Sequence, residues 1–151
     1  MLYTRYKNKF FIILTILWIC LIFSFSLQSG EESSELSSGF GAWLMEHILS
    51  IFSIENMLPE QIDMFHLILR KCAHFTEFFV LGVLMYLTVA QSVAVRKCII
   101  AFMLCMLVGA MDETLQLFVD GRAGRVIDVL IDSSGSLVGI IIMKMLVVWK
   151  R

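Results

Sequence analysis

Residues 10–27, FFIILTILWICLIFSFSL, form an unbroken run without a single charge. At about 1.5 Å of rise per residue, a helix of roughly 20 residues crosses the hydrocarbon core of a bilayer, so this run predicts a membrane span. Arg5, Lys7 and Lys9 precede it. A basic start followed by an apolar run also fits a secretory signal peptide, but this run is long for one, and nothing after it turns into a soluble domain. The whole chain of 151 residues is 59% hydrophobic and 17% charged, with a single proline. Its mean hydropathy is +0.86. Those values describe a polytopic membrane protein and not a soluble domain. The net charge of −1 gives no reason to expect nucleic acid as a partner.

Three further spans are expected, at about 71–91, 98–118 and 128–149, making an all-α membrane protein whose four-helix transmembrane bundle is one domain over 1–151. Pro59 followed by Glu60 marks a helix start upstream of the second span. Between spans one and two, SGEESSELSSG reads as a surface loop. FGAWLMEHILSIFSI then carries apolar residues at helical spacing, and predicts an amphipathic helix lying on the outer membrane face, with 40–54 a candidate lid. The basic N-terminus, Arg96 with Lys97, and Lys150 with Arg151 place both termini in the cytoplasm by the positive-inside rule. Cys20, Cys72, Cys98 and Cys105 lie in apolar segments with no paired spacing, which argues against a disulfide framework or a zinc knuckle.

Against this apolar background, the ionisable residues gather at one level. RKCAHFTEFF puts Lys71, His74 and Glu77 on one helical face at the outer end of span two. Asp112, Glu113 and Gln116 occupy the outer end of span three, with Asp112 and Gln116 on one face. Arg122 and Arg125 lie in the outer turn, where they oppose the positive-inside rule and call for another role. Asp128, Asp132, Gly135 and Gly139 share a face of span four. Small residues four apart let helices approach closely, so that face is expected to turn inward and carry both aspartates with it. Ionisable groups at membrane depth cost about 2.5–3.5 kcal/mol each on insertion scales. They persist when they pair or line a wet cavity. A bare ion-pair network is the alternative, yet buried pairs give little net stability.

RKCAHFTEFFVLG followed by DETLQLFVDGRAGRVIDVLIDSSGSLVG resembles the VanZ-like family, named for a teicoplanin-resistance protein. FSFSLQSGEESSELS is similar to that family's Ser/Gln segment after its first helix. The resemblance covers most of the chain. It implies that Lys71, His74, Glu77, Asp112, Glu113, Gln116, Arg122, Asp128, Asp132 and Gly135 carry the family's polar signature, with Ser26 and Gln28 as looser matches. Asp132 departs from it, since the family more often has asparagine there. The resemblance further implies a multipass cell-membrane protein tied to the cell envelope or to glycopeptide resistance.

Lys71, His74, Glu77, Asp112, Glu113 and Gln116 are therefore the candidate catalytic residues, and Arg122, Arg125, Asp128, Asp132, Ser26 and Gln28 the candidate ligand-binding ones. In an enzyme acting on a lipid-linked substrate at the outer leaflet, Glu77, Asp112 or Glu113 would transfer protons with His74, while Lys71 and Arg122 held a phosphate or carboxylate. A binder would use the same site for an anionic headgroup, a lipid-linked cell-wall precursor or a glycopeptide, without chemistry. A proton-coupled transporter fits less well, because the inner halves of the spans are apolar apart from Lys144. Membrane lipid is the expected partner. The sequence identifies no cofactor and assigns no metal ligands. A metal held by His74 and the acids, a lesser reading, would suit a hard cation better than structural zinc.

Overall fold

The computed structural model describes residues 2–30, 39, 59–89 and 93–149. These form four helices: α1 (Leu2–Ser26), α2 (Pro59–Thr88), α3 (Ala94–Gln116) and α4 (Val126–Trp149). No strand occurs among the described residues. The expected amphipathic helix and lid at 40–54 lie outside them.

α2 starts at Pro59, whose missing N–H costs nothing in the first turn, and Glu60 sits where the helix dipole favours an acid. It touches all three other helices and packs most extensively on α4. Glycines explain how close that packing is. A Cβ at Gly135 would run into the backbone carbonyl of Phe75, and one at Gly139 into that of Phe79. One at Gly82 would strike the Ser136 backbone from the other side. The small-residue face of α4 does turn inward, as its spacing predicts.

Among the described residues, three helices are long and apolar enough to cross a membrane: α1 over Lys9–Ser26, α3 over Val95–Gln116 and α4 over Val126–Val147. The sequence led us to expect four. α2 falls short of that measure because Lys71, His74 and Glu77 dilute the apolar content of the half they occupy. Its other half, from Phe78 to Tyr86, supplies much of the apolar core with Ile22, Ala101, Cys105, Val108 and Ile140. Large apolar side chains such as Phe10, Leu17, Met103, Leu107 and Met145 point outward, as helices in lipid require.

The interior is thus divided along its length. One half is the apolar cluster. In the other half, the fully buried side chains include Asp112, Gln116 and Asp132. After α3, the chain tightens through Leu117 and Phe118 N–H donations to the carbonyls of Thr114 and Leu115. It reverses at Gly121, whose φ of +74° suits glycine. The Gly30 N–H donates to the Asp120 carbonyl at 3.0 Å, which fastens the end of α1 to this turn. All four helices therefore deliver their polar ends to one place.

Candidate functional site

Asp112 is the most enclosed acid among the described residues. It is fully buried, and its Oδ1 accepts from Ser26 Oγ at 2.5 Å, a bond between residues 86 apart in sequence. Its Oδ2 accepts from Gln116 Nε2 at 3.1 Å, one helical turn on. The same amide lies 3.3 Å from Ser26 Oγ and 3.4 Å from Glu113 Oε1. Glu113 Oε2 accepts the backbone N–H of Arg125 at 2.8 Å. Two adjacent carboxylates on α3 are thus held by donors from α1, α3 and the turn. Several donors together fix the orientation of the two carboxyl groups.

Asp132 contrasts with both. It is 1% exposed, yet neither of its oxygens has a hydrogen-bond partner among the described residues. His74 Nδ1, also buried and unpartnered, lies 3.6 Å from Asp132 Oδ1, which is too long for a hydrogen bond. Gly109 makes room here, since its missing side chain leaves space for the Phe78 ring and the Cβ of Asp132. One ligand-type atom from each of His74, Asp112, Glu113 and Asp132 lies within 4.8 Å of the others.

Above this acidic cluster the surface is basic. Lys71 Nζ pairs with Asp128 Oδ1 at 2.5 Å, linking α2 to the start of α4. A cavity of about 350 Å³ opens beside the pair, lined by Arg70, Lys71, His74, Arg122, Arg125 and Asp128 among others. Arg122 sits in the turn outside the helices, half-buried, and its Nε finds no protein partner among the described residues. Burial, and then the like charge of Arg70, hold its pKa below the usual guanidinium value, while Asp112, Glu113 and Glu77 oppose that shift. A guanidinium starts so high that it stays charged. Its Nε–H is a donor that no described protein group takes up.

Most of the residues singled out from the sequence do meet. Lys71, His74, Asp112, Glu113, Gln116, Arg122, Asp128, Asp132 and Ser26 form one continuous polar assembly. Glu77 is half-buried within electrostatic reach of His74, Asp112, Asp132 and Arg122, and its carbonyl accepts Trp18 Nε1 at 3.0 Å. Arg125 contributes differently from expectation: its backbone N–H holds Glu113, while its exposed side chain borders the cavity. Gln28 is not drawn in by any side-chain hydrogen bond among the described residues; its backbone N–H donates to the Phe25 carbonyl at 3.3 Å. Arg70 was missed. It precedes His74 by four residues and so lies on its side of α2, which was the available signal.

No curated protein and no solved structure matches the chain. The sequence model of the VanZ/LLP1 family matches residues 11–148, which hold every charged residue of the cavity and cluster. With nearly its whole length matched and three helices fit to cross a membrane, the chain is a membrane protein that belongs to the VanZ/LLP1 family.

Proposed function

We propose that this protein crosses the cell membrane four times, with both termini cytoplasmic, and receives the anionic headgroup of a lipid-linked envelope component in its outward-facing cavity. The observation that carries this reading is the cavity wall. Arg70, Lys71, Arg122 and Arg125 surround a space of about 350 Å³ at the polar end of the bundle. Only Asp128 on that wall opposes them, and Lys71 already pairs with it. Four cations around so small a space fit a phosphate or carboxylate, and guanidinium forks suit either one. The volume lies at the low end for ligand pockets. It admits a headgroup, but a whole glycopeptide antibiotic is far larger. A part in teicoplanin-type resistance would then run through the lipid-linked target and not through the drug.

α2 completes the crossing in this account. Lys71 and His74 turn toward Asp128 and Asp132 of α4, while the exposed side chains of this half include the apolar Met64 and Ile68, which lipid accepts. The apolar half of the bundle speaks against a through-path for ions or protons.

A second reading, acid–base catalysis on the bound lipid, draws on the fixed carboxylates. Asp112 and Glu113 are held in place before any ligand arrives, which proton transfer favours. Native mass spectrometry of wild type beside Arg122→Ala and Glu113→Gln tests both. The headgroup reading expects an anionic lipid on wild type and on Glu113→Gln, and its loss from Arg122→Ala. Unchanged lipid retention in Arg122→Ala would count against it. Catalysis expects Glu113→Gln to retain a lipid that wild type converts, visible as a different bound mass.

A further inference from the structure

Asp132 is the least explained residue in the bundle. Its carboxylate is 1% exposed, both oxygens lack hydrogen-bond partners among the described residues, and it faces two more buried acids. Three carboxylates converge with a single imidazole, while Lys71 is engaged by Asp128 instead. Bringing like charges together out of water is costly unless the acids take up protons or something of opposite charge lies between them, and a metal ion displaces such protons when it binds.

We propose that His74, Asp112, Glu113 and Asp132 hold a divalent cation of the first-row transition type, Mn²⁺ or Zn²⁺. Their ligand atoms lie within 4.8 Å of one another. Donors around such an ion at about 2.1 Å stand no more than about 4.2 Å apart, so the widest pair closes by roughly half an ångström on binding. The donor set decides the class. Carboxylates suit Mn²⁺ and harder ions, an imidazole shifts preference toward transition metals, and the absence of thiolate sets this apart from a structural zinc site. An outer layer is already present. Ser26 and Gln116 orient Asp112, and the Arg125 N–H orients Glu113. Each accepting oxygen keeps a lone pair for the ion. Asp132 and His74 Nδ1 have no such competitor, so the ion would supply the partner that they lack.

The site lies beneath the cationic cavity and shares His74 with its wall, but none of the cavity's cations is a ligand. Arg122→Ala removes a cavity cation and no ligand, so it should lose lipid and keep metal. This separates failure of the metal site from failure of the headgroup reading.

The test is a titration of chelator-stripped, detergent-solubilised full-length protein with MnCl₂. Free Mn²⁺ is followed by electron paramagnetic resonance, and ZnCl₂ is then added as competitor. Wild type should bind one Mn²⁺ per chain and release it to Zn²⁺. Asp132→Asn, which keeps the shape of the side chain, should weaken binding by at least about a hundredfold. Ser26→Ala, which touches no ion, should weaken it about ten- to a hundredfold. No saturable binding by folded wild type overturns the proposal, whatever becomes of the variants. Binding of equal strength in wild type and in Asp132→Asn that elutes as a single species overturns it too, because the ion then sits elsewhere.

Discussion

Ser26 and Asp112 show how one hydroxyl organises the polar end. Ser26 is 3% exposed and closes on Asp112 at 2.5 Å, so removing its oxygen leaves a buried carboxylate short of a donor. An unsatisfied buried group costs about 1–3 kcal/mol, more where it is charged. Ser26→Ala should therefore lower the thermal midpoint in detergent by several degrees, whereas Ser24→Ala on the exposed side should not. Lys71 and Asp128 are expected to matter less. Their side chains are 31% and 16% exposed, which permits screening. A double-mutant cycle with Lys71→Met and Asp128→Leu should return a coupling of about 0.5–1 kcal/mol. A coupling near zero would show that the pair only borders the cavity. The Lys71, His74 and Glu77 face was legible in the sequence because helical geometry needs only local spacing. The partnership of Ser26 with Asp112 was not, since it spans two helices and nothing local marks it. Arg125 shows a different blind spot. Residue type advertises a guanidinium, while the contact that fixes Glu113 comes from a backbone N–H that every non-proline residue has.

At the scale of elements, the α2–α4 contact carries the most weight. Gly135 and Gly139 let the backbones meet, and a methyl group at either would strike a carbonyl of α2. Backbone cannot swing away as a side chain can. Gly139→Ala should force the helices apart, costing 1–3 kcal/mol or so, typical of overpacking, and reduce accumulation in membranes. Gly109→Ala is the contrast, because its added Cβ would meet the Phe78 ring at 3.3 Å and the ring can shift. It should accumulate close to wild type. Equal loss from both would mean that the α2–α4 approach is not what limits stability. This stripe was readable in advance because GxxxG spacing has one physical meaning in a membrane. The crossing status of α2 was harder to read. Hydropathy averages along a chain, so a helix with one charged half and one apolar half falls below the measure that its neighbours meet.

The described residues make an apolar bundle with one polar end, and the orientation we propose for it rests on the positive-inside rule applied to the remaining charges. Arg96 and Lys97 stand at the start of α3, opposite the turn that holds Arg122 and Arg125. The basic residues of that turn oppose the positive-inside rule, and the cavity they border gives them a reason to do so. In a cysteine-free background, Arg125→Cys should react with an impermeant maleimide on intact cells, and Lys97→Cys only after lysis. The reverse pattern would turn the cavity toward the cytoplasm and remove the envelope from the account.

The most direct measurement is binding of short-chain phosphatidic acid against short-chain phosphatidylcholine to the purified protein in neutral detergent, with Arg122→Ala alongside. Losing one charge-assisted contact is worth about 1.5–3 kcal/mol, or roughly ten- to a hundredfold in affinity. Wild type should prefer the phosphatidic acid by at least tenfold, and Arg122→Ala should lose most of that preference while remaining folded. Equal affinity of wild type for the two lipids would contradict a headgroup site, and would leave the four cations of the cavity as no more than the edge of a buried polar network.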